Sequence, residues 1–200
     1  MKLANFPVEK LKVLPLRAIV AFAARCGRRV ERLAQLPEGN PQRESRRQAI
    51  EAALRMAESY AKGADTPPDE SVVAAIDVIR NAGGELAGAA ATSAIAQAAH
   101  AAASAWHAGS QVAEDGGAPG KRTVEAGRFR GALTHVTADL AALNAFTAAA
   151  EAFVSVGYRN EAFVDAALGD YHKLVGLQLG RYPELGATVD PSPAGPLGPL

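Results

Sequence analysis

Alanine occupies 45 of the 200 positions, and that bias narrows the fold more than any motif does. Alanine loses no side-chain entropy in a helix and is the best helix former. Its methyl group also lets neighbouring helices approach closely. A sheet core would draw on Val, Ile and aromatic residues instead, and aromatics make up only 6% of the chain. No useful alternating strand pattern and no convincing fixed-period repeat occurs. The expected fold is all-α, one domain built as a bundle of about six helices. A chain of this length is enough to bury a real core.

Proline and glycine mark where the helices start and stop. Pro15 opens the first, with Leu16, Ile19, Val20, Ala23, Val30 and Leu33 at helical spacing. Pro37, Gly39 and Pro41 break it. Asn40-Pro41 starts a second, with a stripe of Ile50, Ala53, Leu54, Ala57 and Tyr60, closed by Gly63. Thr66-Pro67-Pro68-Asp69 starts a third, carrying Val72, Val73, Ile76 and Ile79. An Ala-rich fourth helix is expected to run to about His107 and to end at Gly109. A Gly-rich loop follows at 109–122. A long helix is expected over 124–156, with Ala126, Phe129, Leu133, Val136, Leu140, Leu143, Ala150 and Val154 on its stripe. Asn160 caps a last helix with Val164, Ala167, Leu168, Tyr171, Leu174 and Val175 inward. The expected division is an N-terminal arm at 1–13, the bundle at 14–182, and a disordered Pro/Gly-rich tail at 183–200, which has little to bury.

Charges balance at 21 against 21. A global nucleic-acid or anionic-membrane binder would carry a basic excess. Leu86 to Trp106 has the length of a membrane span, but it is mostly alanine, interrupted by Ser93, Gln97, His100 and Ser104. It reads as a buried helix. The single Cys26 makes no internal disulfide, and no apolar run of signal-peptide length precedes Pro15. The expected location is the cytoplasm, with no nucleic-acid or membrane partner.

Four constellations deserve weighing for chemistry. The stretch Gly116 to Thr123 looks loosely like a phosphate loop, but Asp115 stands where that pattern needs glycine and Arg122 where it needs Ser or Thr. It reads as a solvated loop. His100 and His107 are two turns apart, roughly 10 Å along a helix axis, too far for one metal. His135 and Asp139 read as a surface pair. Cys26 lies among arginines that would lower its pKa if close, yet no base or oxyanion site accompanies it, and a core cysteine is the simpler reading. The fourth is a cluster of arginines: Arg25, Arg28, Arg29 and Arg32 on the first helix, then Arg43, Arg46 and Arg47 at the start of the second. A short hairpin would bring the two groups together as a patch for an acidic partner. The plainer reading is a salt-bridged face with Glu31, Glu44 and Glu51.

The run Ala24-Arg25-Cys26-Gly27-Arg28-Arg29-Val30, then Arg46-Arg47-Gln48-Ala49-Ile50-Glu51-Ala52-Ala53, then Ala61-Lys62-Gly63, resembles an all-α immunity protein family of bacterial polymorphic-toxin systems. The resemblance covers mainly residues 14–63. It implies a non-enzymatic protein that binds and neutralises a partner toxin. Tyr60 stands where tryptophan is expected, and the acidic loop before the second helix is reduced to Glu38-Gly39-Asn40-Pro41.

The leading expectation is thus a helical protein-binding module, possessing no catalytic residues, metal or cofactor, that uses the arginine cluster as its docking surface. A rival expectation places a ligand or metal pocket near Trp106, His135 and Asp139. A third pairs the long helix between two copies as a homo-oligomeric assembly module.

Overall fold

The computed structural model describes residues 8–82, 86–116, 137–157 and 160–200. Its described regular structure is helical, with no strand among the described residues. A short turn of helix, α1 (Val8–Leu11), leads into α2 (Leu16–Val30) and a 3-10 turn (Glu31–Ala34). Then come α3 (Arg43–Ala61), α4 (Glu70–Asn81), α5 (Leu86–Gly116), α6 (Ala138–Ser155) and α7 (Glu161–Gly176). Among the described residues no helix is long and apolar enough to cross a membrane.

Helix α2 is the central element. Every residue from Ala18 to Gly27 is buried, including Arg25 and Cys26. A helix buried all round belongs inside a bundle rather than on its surface, and α2 packs on α3, α5, α6 and α7. Gly27 shows how close these helices come: a Cβ there would sit 2.8 Å from Leu54 Cδ2 of α3.

Helices α5 and α6 pack through alanine. Ala91, Ala94, Ala98, Ala101, Ala102 and Ala105 of α5 are fully buried, as are Ala141, Ala142, Ala145 and Ala149 of α6. Small side chains make that face, so the larger ones turn away: Leu140 and Val154, expected on the inner stripe, are 38% and 51% exposed. Bulk is supplied instead by a run of aromatic rings. Phe22 and Phe146 have centroids 6.2 Å apart, Phe146 and Phe163 5.6 Å, and Phe163 and Phe153 5.3 Å, joining α2, α6 and α7. Such pairs add to the area they bury.

Several expected boundaries shift. α3 begins at Arg43 rather than at Pro41, because Asn40 Oδ1 accepts from Gln42 N (2.9 Å) and holds the preceding residues in a turn. α4 is capped by Asp69, whose carboxylate accepts from Ser71 N at 2.8 Å. α5 continues through Gly109 to Gly116; one glycine costs about 1 kcal/mol against alanine, too little to end so favourable a helix. The expected helix over 124–156 enters the described residues only at its C-terminal half, α6; Ala126, Phe129, Leu133, His135 and Val136 lie outside them, as does the phosphate-loop-like stretch beyond Gly116.

The largest correction concerns residues 183–200, expected to be disordered. They are packed on the bundle. Pro15 leaves α2 without a side-chain cap, and the tail supplies what is missing: Leu16 N donates to Glu184 O (2.9 Å) and Arg17 N to Leu185 O (3.0 Å). These are two of the N–H groups a helix start leaves without an intrahelical partner. Further along, Val189 N donates to Ala61 O at 2.9 Å. Val189 and Leu197 are 2% and 0% exposed and belong to the same core cluster as the helices. Composition pointed to disorder, but two buried aliphatic anchors and main-chain hydrogen bonds suffice to hold the segment.

Candidate functional site

The seven arginines do not form one docking face. Arg25 is wholly buried. Its Nε donates to Asp170 Oδ2 (2.9 Å) and its Nη2 to Asp170 Oδ1 (3.1 Å), a bidentate pair with α7. Its Nη1 donates to Pro191 O (3.2 Å) and Gly198 O (2.7 Å), and its Nη2 also to Pro199 O (2.8 Å). A guanidinium has five N–H donors, and here each has an acceptor. Arg29 Nη1 lies 2.5 Å from Asp170 Oδ2, with its side chain 7% exposed. Asp170 is therefore shared by two cations in a nearly dry site. Cys26 lies beside them: burial pushes its thiol up to about 12, with Arg29 and Arg25 pulling down and Asp170 adding to the rise. It is an inert core thiol, as the simpler reading had it.

Arg28 faces α3 instead. It binds Glu58 through Nε (2.7 Å) and Nη2 (3.0 Å), Glu51 through Nη1 (2.6 Å) and Glu31 through Nη1 (3.1 Å). Partial burial works against its charge, but the bonds to Glu58, Glu51 and Glu31 win and hold its pKa above the ordinary arginine value. The hydrogen bond from Arg28, aided by that from Arg55, holds the Glu51 carboxyl below its usual range.

Arg46 is 8% exposed and ties three elements together. Its Nε donates to Ala34 O (2.7 Å) at the end of the 3-10 turn, and its Nη2 to Thr92 Oγ1 of α5 (2.6 Å). Arg43 reaches Glu38 at 3.5 Å and Arg47 forms a fork with Glu44 (2.6 and 2.9 Å), both at the surface. Arg47 and Gln48 hold the Glu44 carboxyl down to about 2. Arg32 is exposed. The expected arginine surface is thus corrected: Arg25, Arg29 and Arg46 are internal fasteners, and Arg28 is committed to three glutamates. The deciding partners Asp170, Thr92 and the tail carbonyls are far away in sequence, so local spacing carried no sign of them.

Of the rival pocket, the structure describes Trp106 and Asp139 alone. Trp106 is half-buried, Asp139 is 2% exposed in the first turn of α6, and His135 lies outside the described residues. His100 Nε2 pairs with Asp77 Oδ1 at 3.0 Å, and Arg80 joins the same carboxylate at 3.2 Å. Among the described residues no group of three His, Cys, Asp or Glu side chains could hold a metal ion.

What sequence reasoning missed is a groove of about 650 Å³ between the α1–α2 junction and the end of α7. Its walls include Leu14, Pro15, Leu174 and Tyr182, and the charged residues in its lining are Lys12 and Arg181. Aliphatic side chains stand open on and beside it: Val13 is 54% exposed, Val175 38% and Leu177 42%. The volume lies in the range of ligand sites, but exposed aliphatics on an open rim are more typical of a protein contact. Val175 was expected to face inward, and no local signal distinguishes it from Leu174. A smaller apolar hollow of about 470 Å³ lies between the start of α5 and the end of α6, near Leu86 and Val154.

Compared with known proteins, the chain matches no family model, no curated protein and no solved structure.

Proposed function

We propose that this chain is a non-enzymatic protein-binding module, and that it docks its partner in the groove between the α1–α2 junction and the end of α7. One observation carries the reading: Val13 and Val175 stand open in a concave surface whose charged lining residues are both cationic. Such a surface fits a partner segment with aliphatic anchors flanked by Asp or Glu. Aliphatic burial supplies affinity, while the opposed charges favour the right partner and speed encounter. The resemblance of residues 14–63 to the immunity family supports a finer reading, in which the partner is a toxin.

The test compares capture by the parent chain with capture by Val13→Glu/Val175→Glu in the host lysate. The reading requires a stoichiometric partner, bearing a toxin domain in the finer version, that the parent retains and the variant loses. Equal capture by both chains, or no partner for the parent, contradicts it. Both positions are exposed, so the variant keeps the parent's helical circular dichroism.

A further inference from the structure

The tail is held in the manner of a bound peptide. The bundle grips its main chain: Arg25 takes the carbonyls of Pro191, Gly198 and Pro199, and Lys173 Nζ takes that of Leu197 at 2.6 Å. Lys62 pairs with Asp190 at 3.0 Å, and Ala61 O accepts from Val189 N. Val189 and Leu197 are the apolar anchors, both buried. None of these contacts depends on the tail belonging to the same chain as the helices.

The packed segment also carries hydrogen bonds of its own. Ser192 N donates to Asp190 Oδ1 (2.9 Å), Gly195 N to Ser192 O (3.0 Å) and Gly198 N to Gly195 O (3.0 Å). Four prolines between Pro191 and Pro199 each fix a backbone angle. Gly195 is required by space, since a Cβ there would lie 2.1 Å from Asp190 O. The fixed proline angles reduce the entropy lost on docking, which favours binding as a unit.

We propose that the face of the bundle bearing Arg25, Lys62 and Lys173 is a peptide-binding site for a Pro/Gly-rich segment with two aliphatic anchors. Residues 187–199 fill it in cis, and the same segment of a second copy is its occupant in trans. Exchange of an identical element between copies needs no new contacts. The tethered tail competes at an effective concentration on the order of millimolar, so the parent chain resists an added peptide. This site is separate from the docking groove, and its test needs no partner protein.

The experiment uses a fluorescein-labelled peptide of residues 186–200, titrated with the full-length parent and with full-length Gly195→Val, and read by anisotropy. The added valine prevents the tail from closing on Asp190 and vacates the site. The Gly195→Val chain is expected to bind the peptide at least about tenfold more tightly than the parent does. A peptide carrying Leu197→Ser should lose that gain, because it lacks an anchor. No binding to a Gly195→Val chain with parental helical circular dichroism overturns the proposal, as does binding indifferent to Leu197→Ser. Loss of helical signal in Gly195→Val overturns it too, since the tail would then be an inseparable part of the core.

Discussion

Replacing Asp170 with alanine is the most informative single perturbation. The carboxylate takes two hydrogen bonds from Arg25 and an ion pair from Arg29, with side-chain exposures of 0%, 7% and 3% for Arg25, Arg29 and Asp170. Asp170→Ala would leave two cations buried without a counter-charge. Removing one partner of a single buried pair costs roughly 3–5 kcal/mol, because the remaining charge stays desolvated. Arg25 keeps its three tail carbonyls, which offsets part of the loss; Arg29 keeps nothing comparable, its Nε having no hydrogen-bond partner. The expected destabilisation is therefore about 3–5 kcal/mol. For a chain of this size that corresponds to a fall in Tm on the order of 10 °C. Urea and thermal unfolding followed by far-ultraviolet circular dichroism measure both, and Arg47→Ala serves as the control. Arg47 pairs with Glu44 in solvent, so its loss should leave the urea midpoint close to the parent's. An Asp170→Ala protein within about 1 kcal/mol of the parent would refute the reasoning, since such a small effect is that of an exposed pair.

Three further outcomes follow from the packing and charge arrangement. Gly27→Val should destabilise by about 1–3 kcal/mol, since its Cβ meets a buried leucine side chain across a close helix crossing; a midpoint shift in urea reads it directly. Cys26, buried and with its thiol pushed up to about 12, should not react with a thiol reagent at pH 8 until denaturant is added, and rapid labelling of the native protein would contradict its placement. The Glu51 carboxyl is held low by Arg28, so its contribution is present above the unfolded pKa of about 4.3 and is lost as pH falls through its lower folded value. Glu51→Gln should therefore flatten the acid side of the stability curve, measured as urea midpoint against pH from 2 to 7; an acid limb as steep as the parent's would be inconsistent with the Arg28–Glu51 pair.

The helical class was legible because it rests on local physics. Alanine content and apolar spacing report the helix directly, and proline reports where α2 and α3 begin to within two residues, whereas Gly109 did not end α5. What escaped depends on residues distant in the chain. Nothing near Arg25 in sequence indicates whether its guanidinium meets water or Asp170 and three carbonyls, so buried fasteners and a solvated patch read alike. The same limit hid the groove, whose walls come from both ends of the described chain. The tail failed differently: Pro and Gly content signals disorder when a segment has nothing to bury, but Val189 and Leu197 are enough to anchor this one. On α6, alanine took the packing face and left Leu140 and Val154 outside, the reverse of what a hydrophobicity stripe implies.

The C-terminal segment is a packed part of the fold, bolted down by Arg25, rather than a loose extension of a bundle with arginines on its surface. Amide hydrogen exchange over residues 184–199 tests this most directly. Ala187 N and Val189 N donate to Leu179 O and Ala61 O, and both amides should exchange far more slowly than free peptide. Exchange of both at the unprotected rate, with the helices still protected, would contradict the account and return the arginines to the surface.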